Sequence, residues 1–303
     1  MNVFTTKSNL TEESMRELVL QSDRNLEKRM EEVADQISKL PDLRLIGLTG
    51  PTCSGKTTTA RLLTEVFEKC GRRVHVVSID DFYYDKEFLH KRAAEDPNVE
   101  IDYDSEETID VDLLAEKAES LLACRETRMP KFDFHSGSRV QGVTVTPRPD
   151  DVFLFEGIQI LYPGVDAILR KQNYRSIYIR PASSIQIGNE IFDPNELRLM
   201  RRLVRDYLYR STDPEFTFYV WQSVRDNEEK SIFPHSHTCN YFIDSTMPYE
   251  VGMLKPYLER ILEKVSKDSK FYDEAREVLR QLQQVQSIPS SYMTPNSLYK
   301  EFI

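Results

Sequence analysis

Along the first forty residues the apolar positions fall into one stripe. Leu26, Met30, Val33, Ile37 and Leu40 recur at alternating four- and three-residue steps, which predicts a helix over 11–40 with one docking face. The stripe covers only about two heptads, too short for a coiled coil; burial within the chain and a contact between two copies both fit it. Pro41-Asp42 then breaks the helix. Beyond it the pattern changes to short apolar runs at 43–49, 74–79, 152–155, 176–179 and 241–243, read as buried strands. Helical spacing occupies 58–70, where Gly71 ends the run, and also 111–122, 195–210, 215–227 and 249–265. Residues 140–146 alternate Val/Thr with polar residues, as one half of a hairpin would. From Ser287 the chain is rich in Pro and Ser and reads as a surface loop. Strands alternating with helices predict an α/β domain built on a parallel sheet covered on both faces. The organisation expected is a helical extension (1–40), one α/β domain (41–265), and a final helix and tail (266–303) packed on it.

Length and charge narrow the reading. The 303 residues, 40% hydrophobic and 30% charged, suit one large globular domain with appendages. A formal net charge of −10 sets a mean field that repels polyanions, which argues against nucleic acid or an anionic membrane as general partners. Bound phosphate would have to be held by a local cluster. Cys53, Cys70, Cys124 and Cys239 show no C-x-x-C spacing, so free thiols in a reducing cytoplasm are expected. No run approaches the roughly 20 apolar residues of a membrane span, and residues 1–13 lack a signal-peptide core.

One motif carries chemistry outright. Gly50-Pro51-Thr52-Cys53-Ser54-Gly55-Lys56-Thr57 fits G-x-x-x-x-G-K-[ST] between a predicted strand and a predicted helix. Its backbone amides and the helix N-terminus suit phosphate oxygens. Lys56 would reach the β- and γ-phosphates, and the Thr57 hydroxyl would ligate magnesium. A chance match occurs in on the order of one chain in a hundred of this length, and only ten glycines are present, so ATP binding is the stronger reading. Cys53 reads as a small spacer in the loop.

Acids follow two of the predicted strands. Asp80 and Asp81 lie beyond the second, where ligands bind in open parallel sheets. Either could orient an acceptor hydroxyl, and either could equally be a helix cap. Glu156, before Gly157, ends the third strand and is placed for magnesium. Arg198, Arg201, Arg202, Arg205 and Arg210 crowd one predicted helix, with Arg198, Arg202 and Arg205 sharing a face. That face suits either a solvated surface balanced by Glu196 and Asp206 or a lid that stabilises charge on a transferring group.

With Ser78–Tyr83, Tyr103-Asp104, Phe132-Asp133-Phe134, Ser138-Arg139, Phe155-Glu156-Gly157 and Arg201–Asp206, the chain resembles the uridine kinase family, related to phosphoribulokinase and pantothenate kinase, over about 43–262. Asn227–Pro234, Leu254–Tyr257 and Ser297–Ile303 resemble a bacterial uridine-kinase-like branch whose longer members carry an N-terminal TGS-type region. The resemblance implies a P-loop NTPase fold with a lid helix and a β-hairpin insertion, and an ATP- and magnesium-dependent kinase acting on a nucleoside-like alcohol. It implies Asp80 as base. Lys56, Arg202 and Arg205 would act in transfer, residues 50–58 (through Thr58) would hold ATP, and Thr57 and Glu156 would hold magnesium. Tyr83, Asp104, Phe132, Phe134, Arg139 and Arg210 would form the acceptor site. The chain departs from uridine–cytidine kinases at Phe132 and Gly137, where the family has a base-reading Tyr and His, and at Thr212, where it has an Arg. A different acceptor, or an ATP-binding regulatory module without catalysis, are the competing readings. No Asn-Lys-x-Asp or Leu-Ser-Gly-Gly segment points to a GTPase or a transporter ATPase.

Overall fold

The computed structural model describes residues 2–40, 42–95 and 105–303. Pro41, Tyr103 and Asp104, all used above, lie outside them. In chain order the elements are β1 (Val3–Thr6), α1 (Glu12–Ser38), β2 (Leu45–Thr49), α2 (Lys56–Lys69), β3 (Val74–Ser78), α3 (Lys86–Glu95), α4 (Val111–Leu122), β4 (Thr127–Asp133), β5 (Ser138–Val145), β6 (Val152–Glu156), α5 (Pro163–Arg170), β7 (Tyr174–Arg180), β8 (Ser184–Ile187), β9 (Glu190–Phe192), α6 (Pro194–Arg210), α7 (Pro214–Ser231), β10 (Tyr241–Asp244), α8 (Glu250–Leu262) and α9 (Tyr272–Leu282).

The central sheet is wholly parallel, in the order β10-β7-β2-β6-β3. Its three inner strands, β7, β2 and β6, are buried on both faces, as an enclosed parallel sheet requires, whereas the edge strands β3 and β10 each expose a side chain, Val76 and Phe242. The two-residue period sorts their side chains. Ile46, Leu48, Val152 and Leu154 enter the core shared with α1, α2, α6 and α8. Leu45, Phe153 and Phe155 point to the other side, onto α4 and α5. Register aligns Leu48 and Ser78 with Glu156, so the carboxyl ends of β2, β6 and β3 finish level, the edge where ligands bind in such sheets.

Thr11 caps α1 by accepting from the Ser14 amide at 3.2 Å. Leu26, Met30, Val33 and Ile37 are buried in the chain's own core and Leu40 packs against it. The stripe therefore closes within the chain.

Three features differ from expectation. A second sheet, β1-β8-β9, was not foreseen, because its three- and four-residue strands are too short to establish a period. The helices α3 and α5, of ten and eight residues, were not foreseen either. The segment from Ser287 is not a surface loop: Ile288, Leu298, Tyr299 and Phe302 are buried. Pro and Ser set its composition, but three large apolar side chains within five residues decide where it goes.

Candidate active site

The phosphate loop leaves β2 at Thr49 and enters α2 at Lys56. Gly55 sits at φ +95°, and a Cβ there would run into Leu298, so backbone and packing both demand glycine. Pro51, Cys53 and Ser54 are buried, whereas Thr57 is exposed at the first turn of α2. Lys56 arches back, its Nζ donating to the carbonyls of Gly50 (2.9 Å) and Pro51 (3.1 Å). Burial pushes its ammonium below the ordinary lysine range, opposed by the charges of Glu156, Glu301 and Asp80.

Two arginines of α6 hold this loop from behind. Arg198 donates to the Thr52 carbonyl at 3.2 Å and grips Glu228 with both amino nitrogens, at 2.6 and 2.7 Å. Glu228 in turn accepts from the Thr52 amide at 3.1 Å. Arg201 donates to the Cys53 carbonyl at 3.2 Å and forks onto Glu250 at 2.8 and 3.0 Å. Both guanidiniums are fully buried, which is tolerable because each is paired with a carboxylate and further bonded. Arg198 thus lies apart from Arg202 and Arg205, which converge with Arg210 on Asp206 at 3.1, 2.7 and 3.5 Å. Asp193 and Glu196 form a capping box at the start of α6, with Pro194 in its first turn.

The acids sit beside the loop. Glu156, ending β6, accepts from the Ser78 hydroxyl at 3.0 Å; burial raises its pKa, while Lys56 and that hydrogen bond oppose the shift. Asp80 follows β3, two strands from the phosphate loop with β6 between. It is partly buried, and the loss of solvent raises its pKa, while a 2.6 Å hydrogen bond from Gln159 Nε2 and the Lys56 charge favour ionisation. Gln159 also donates to the Tyr83 hydroxyl at 2.8 Å. Asp81 faces elsewhere: it accepts from the Phe132 amide at 3.0 Å and pairs with Lys131 at 3.1 Å, pinning the β4–β5 hairpin.

That hairpin carries the aromatic group. Tyr83, Phe132 and Phe134 meet edge-on and tilted with centroids 5.1 to 6.3 Å apart. Phe132 is buried, whereas Phe134 is 62% exposed. Gly137 turns the hairpin at φ +69°. A Cβ at this position would run into the Lys86 side chain, so a histidine here would need that side chain to shift. Arg139, opposite Phe132 in the hairpin, pairs with Asp110 at 2.8 Å and lies over the Tyr84 ring. A cavity of about 700 Å³ lies between the phosphate loop and α7, lined among others by Thr52, Ile158, Arg202, Arg210, Phe216 and Tyr219.

Lys56, Asp80 and Glu156 are therefore coupled in one cluster, with Tyr83 joined to it through Gln159. Sequence reasoning missed Gln159, Glu228, Glu250 and Glu301, and with them the loop-holding role of Arg198 and Arg201. Gln159 stands three residues beyond Glu156 in the turn after a ligand-facing strand, a placement that offered a signal. The partners of the two buried arginines offered none.

A parallel sheet, a glycine-cornered phosphate loop opening a helix, and acids at the neighbouring strand ends define the P-loop kinase fold. The chain belongs to the phosphoribulokinase/uridine kinase family, whose model matches residues 45–250. It is 32% identical over 171 residues to a uridine kinase of Schizosaccharomyces pombe, covering 56% of this chain and 33% of that protein. It is 30% identical over 180 residues to a uridine kinase of Staphylococcus aureus, covering 59% of this chain and 76% of that one. The chain thus spans a third of the fission-yeast relative's length. Similar solved structures include a putative fructose transport system kinase from Silicibacter (TM-score 0.48, 19% identity, covering 71% of this chain and 97% of that one). Another is a possible uridine kinase from Bacillus stearothermophilus (TM-score 0.47, 18% identity, covering 73% and 100%). Among the described residues no helix is long and apolar enough to cross a membrane.

Proposed function

We propose that this chain transfers the terminal phosphoryl group of ATP to a hydroxyl of a small, nucleoside-like alcohol. The observation that carries the reading is that Lys56, Asp80 and Glu156 stand together at the carboxyl edge of one sheet, Lys56 opening α2 after β2, Glu156 ending β6 on the Ser78 hydroxyl, and Asp80 just beyond β3. The residues fit a polyphosphate: the Ser54 hydroxyl in the loop is buried without a hydrogen-bond partner, and buried polar groups are ordinarily satisfied. They also fit magnesium, which keeps several waters and takes one or two protein oxygens beside substrate phosphates; Thr57 and Glu156 would hold it. Bound there, the ion would neutralise charge on the phosphates.

The division of labour follows. Lys56 and the amides from Gly50 to Thr58 anchor the donor. Asp80, held by Gln159, accepts or orients the acceptor's hydroxyl proton, a role that suits a carboxylate with a raised pKa. Arg202 and Arg205 face charge developing on the transferring group, and Arg210 lies at the open side of the cavity. Tyr83, Phe132 and Phe134 offer flat apolar surfaces for a ring. Phe132 and Gly137 present no polar side-chain atoms, which favours a second reading in which the acceptor is not a pyrimidine nucleoside. Removing a polar contact of this kind shifts discrimination by several orders of magnitude when the site is built on it.

Incubation of the protein with ATP, magnesium and a panel of nucleosides and other small alcohols, with mass detection of products, tests the proposal. Nucleoside monophosphate formation that disappears in Lys56→Ala is expected. ATP binding with no phosphorylated product across the panel would sink the catalytic reading and leave a regulatory nucleotide-binding module.

A further inference from the structure

The buried segment at 297–303 reaches the phosphate loop. Its short 3-10 turn, Leu298–Glu301, starts with Ser297 accepting from the Tyr299 amide at 3.3 Å. Several contacts fix it. Leu298 packs on Gly55. The Tyr299 hydroxyl lies 3.0 Å from Arg201 Nε and bonds Glu250. Ser297 meets the Tyr249 hydroxyl at 3.0 Å. At the end of this fixed turn, the half-buried Glu301 extends its carboxylate to the Thr58 amide at 3.2 Å.

That amide is the third of α2. The first amides of a helix have no partner within it, and they carry the positive end of its dipole. In a phosphate loop these are donors a phosphate uses. Glu301 therefore takes a donor of the nucleotide cradle, and its charge acts on Lys56, Arg205 and Glu156. The first two are cations that a phosphate would meet. A carboxylate and a phosphate oxygen cannot share one N–H in good geometry, and two anions in contact repel.

We propose that Glu301 is an internal stand-in for a nucleotide phosphate, so that ATP enters only as this carboxylate swings off the Thr58 amide. The inference rests on the assignment of 50–58 as the ATP cradle made above. Because Leu298 and Tyr299 are fully buried, release is a side-chain rotation and not an unfolding of the segment. The contact lowers apparent affinity by the fraction of molecules in which the amide is free. A carboxylate at a helix N-terminus stabilises by about 1 kcal/mol, so the effect on the ATP dissociation constant is about five-fold.

The test is calorimetric titration of ATP with magnesium into the full chain and into Glu301→Asp, Glu301→Gln and Glu301→Ala, with thermal unfolding without nucleotide as the check on folding. Aspartate keeps the charge but shortens the reach, so the Kd should fall about five-fold in Glu301→Asp as well as in the neutral variants. Tightening in Glu301→Gln and Glu301→Ala but not in Glu301→Asp would replace displacement by general charge repulsion and overturn the proposal. Unchanged or weaker binding in all three would overturn it too. Lys56→Ala separates the premises. If it binds ATP as the unmodified chain does, or the unmodified chain binds none, the cradle assignment fails. If the cradle behaves as assigned and Glu301→Asp does not tighten, this inference alone fails.

Discussion

Replacing Asp80 by Asn removes one charge and almost no volume. The side chain is partly buried and can still receive the Gln159 hydrogen bond through its amide oxygen, so the variant should fold with the site's shape kept. Proton transfer by a positioned carboxylate contributes about 10²–10⁴-fold, or about 2.7–5.5 kcal/mol of barrier at 1.36 kcal/mol per decade. Turnover should fall by that amount. ATP affinity should hold or tighten slightly, since an anion near Lys56 is gone. Burial raises the Asp80 pKa, so the acid limb of kcat/KM should lie above the ordinary aspartate value of about 3.9 and vanish in the variant. Stability moves the other way. A carboxyl whose folded pKa exceeds its unfolded one disfavours the fold above that pKa, and the penalty fades as pH falls through it. Asp80→Asn should therefore raise Tm at neutral pH and lose that advantage in acid. Steady-state kinetics, ATP titration and thermal unfolding across pH measure all three. Turnover within about ten-fold of the unmodified chain would refute the assignment of the base.

Glu228→Gln leaves Arg198 buried without its counter-charge and should cost about 3–5 kcal/mol in denaturant unfolding, with weaker ATP binding because Thr52 loses its anchor. Gly55→Ala forces a side chain into a positive φ and against Leu298; it should lower both Tm and ATP affinity, read by thermal shift with and without ATP. Asp81→Ala frees the hairpin from its tie to Phe132 and Lys131; acceptor KM should rise several-fold while ATP Kd stays fixed. At Asp151, burial pushes the pKa up, but bonds from Arg73, the Arg148 amide and His75 win and hold the carboxyl well below the usual range. A depressed carboxyl stabilises above its unfolded pKa and loses this as pH falls through the folded one. Asp151→Asn should thus lower Tm at neutral pH, with the gap closing in strong acid.

What the sequence disclosed depended on periodicity and on local motif. The long stripe of α1 was legible because it repeats over enough residues to declare a face, and the five central strands because each is a short, mainly apolar run. The phosphate loop was legible because its glycines, lysine and threonine are contiguous. Asp80 and Asp81 were indistinguishable by position, and the resemblance alone separated them. The structure supplies a physical contrast, with Asp81 tied to a hairpin backbone and Asp80 turned toward Gln159. The roles of Arg198 and Arg201 were hidden because their partners, Glu228 and Glu250, stand 30 and 49 residues away. Glu301, 243 residues from the amide it meets, was hidden for the same reason.

Helix α6 sets its arginines to two tasks, and this ties the helix to the phosphate loop. Arg198 and Arg201 are riveted to the loop carbonyls, so the helix cannot tilt outward without stripping Glu228 and Glu250 of their counter-ions. Arg202 and Arg205, paired with Asp206 on the same helix, are thereby held at a fixed height relative to that loop.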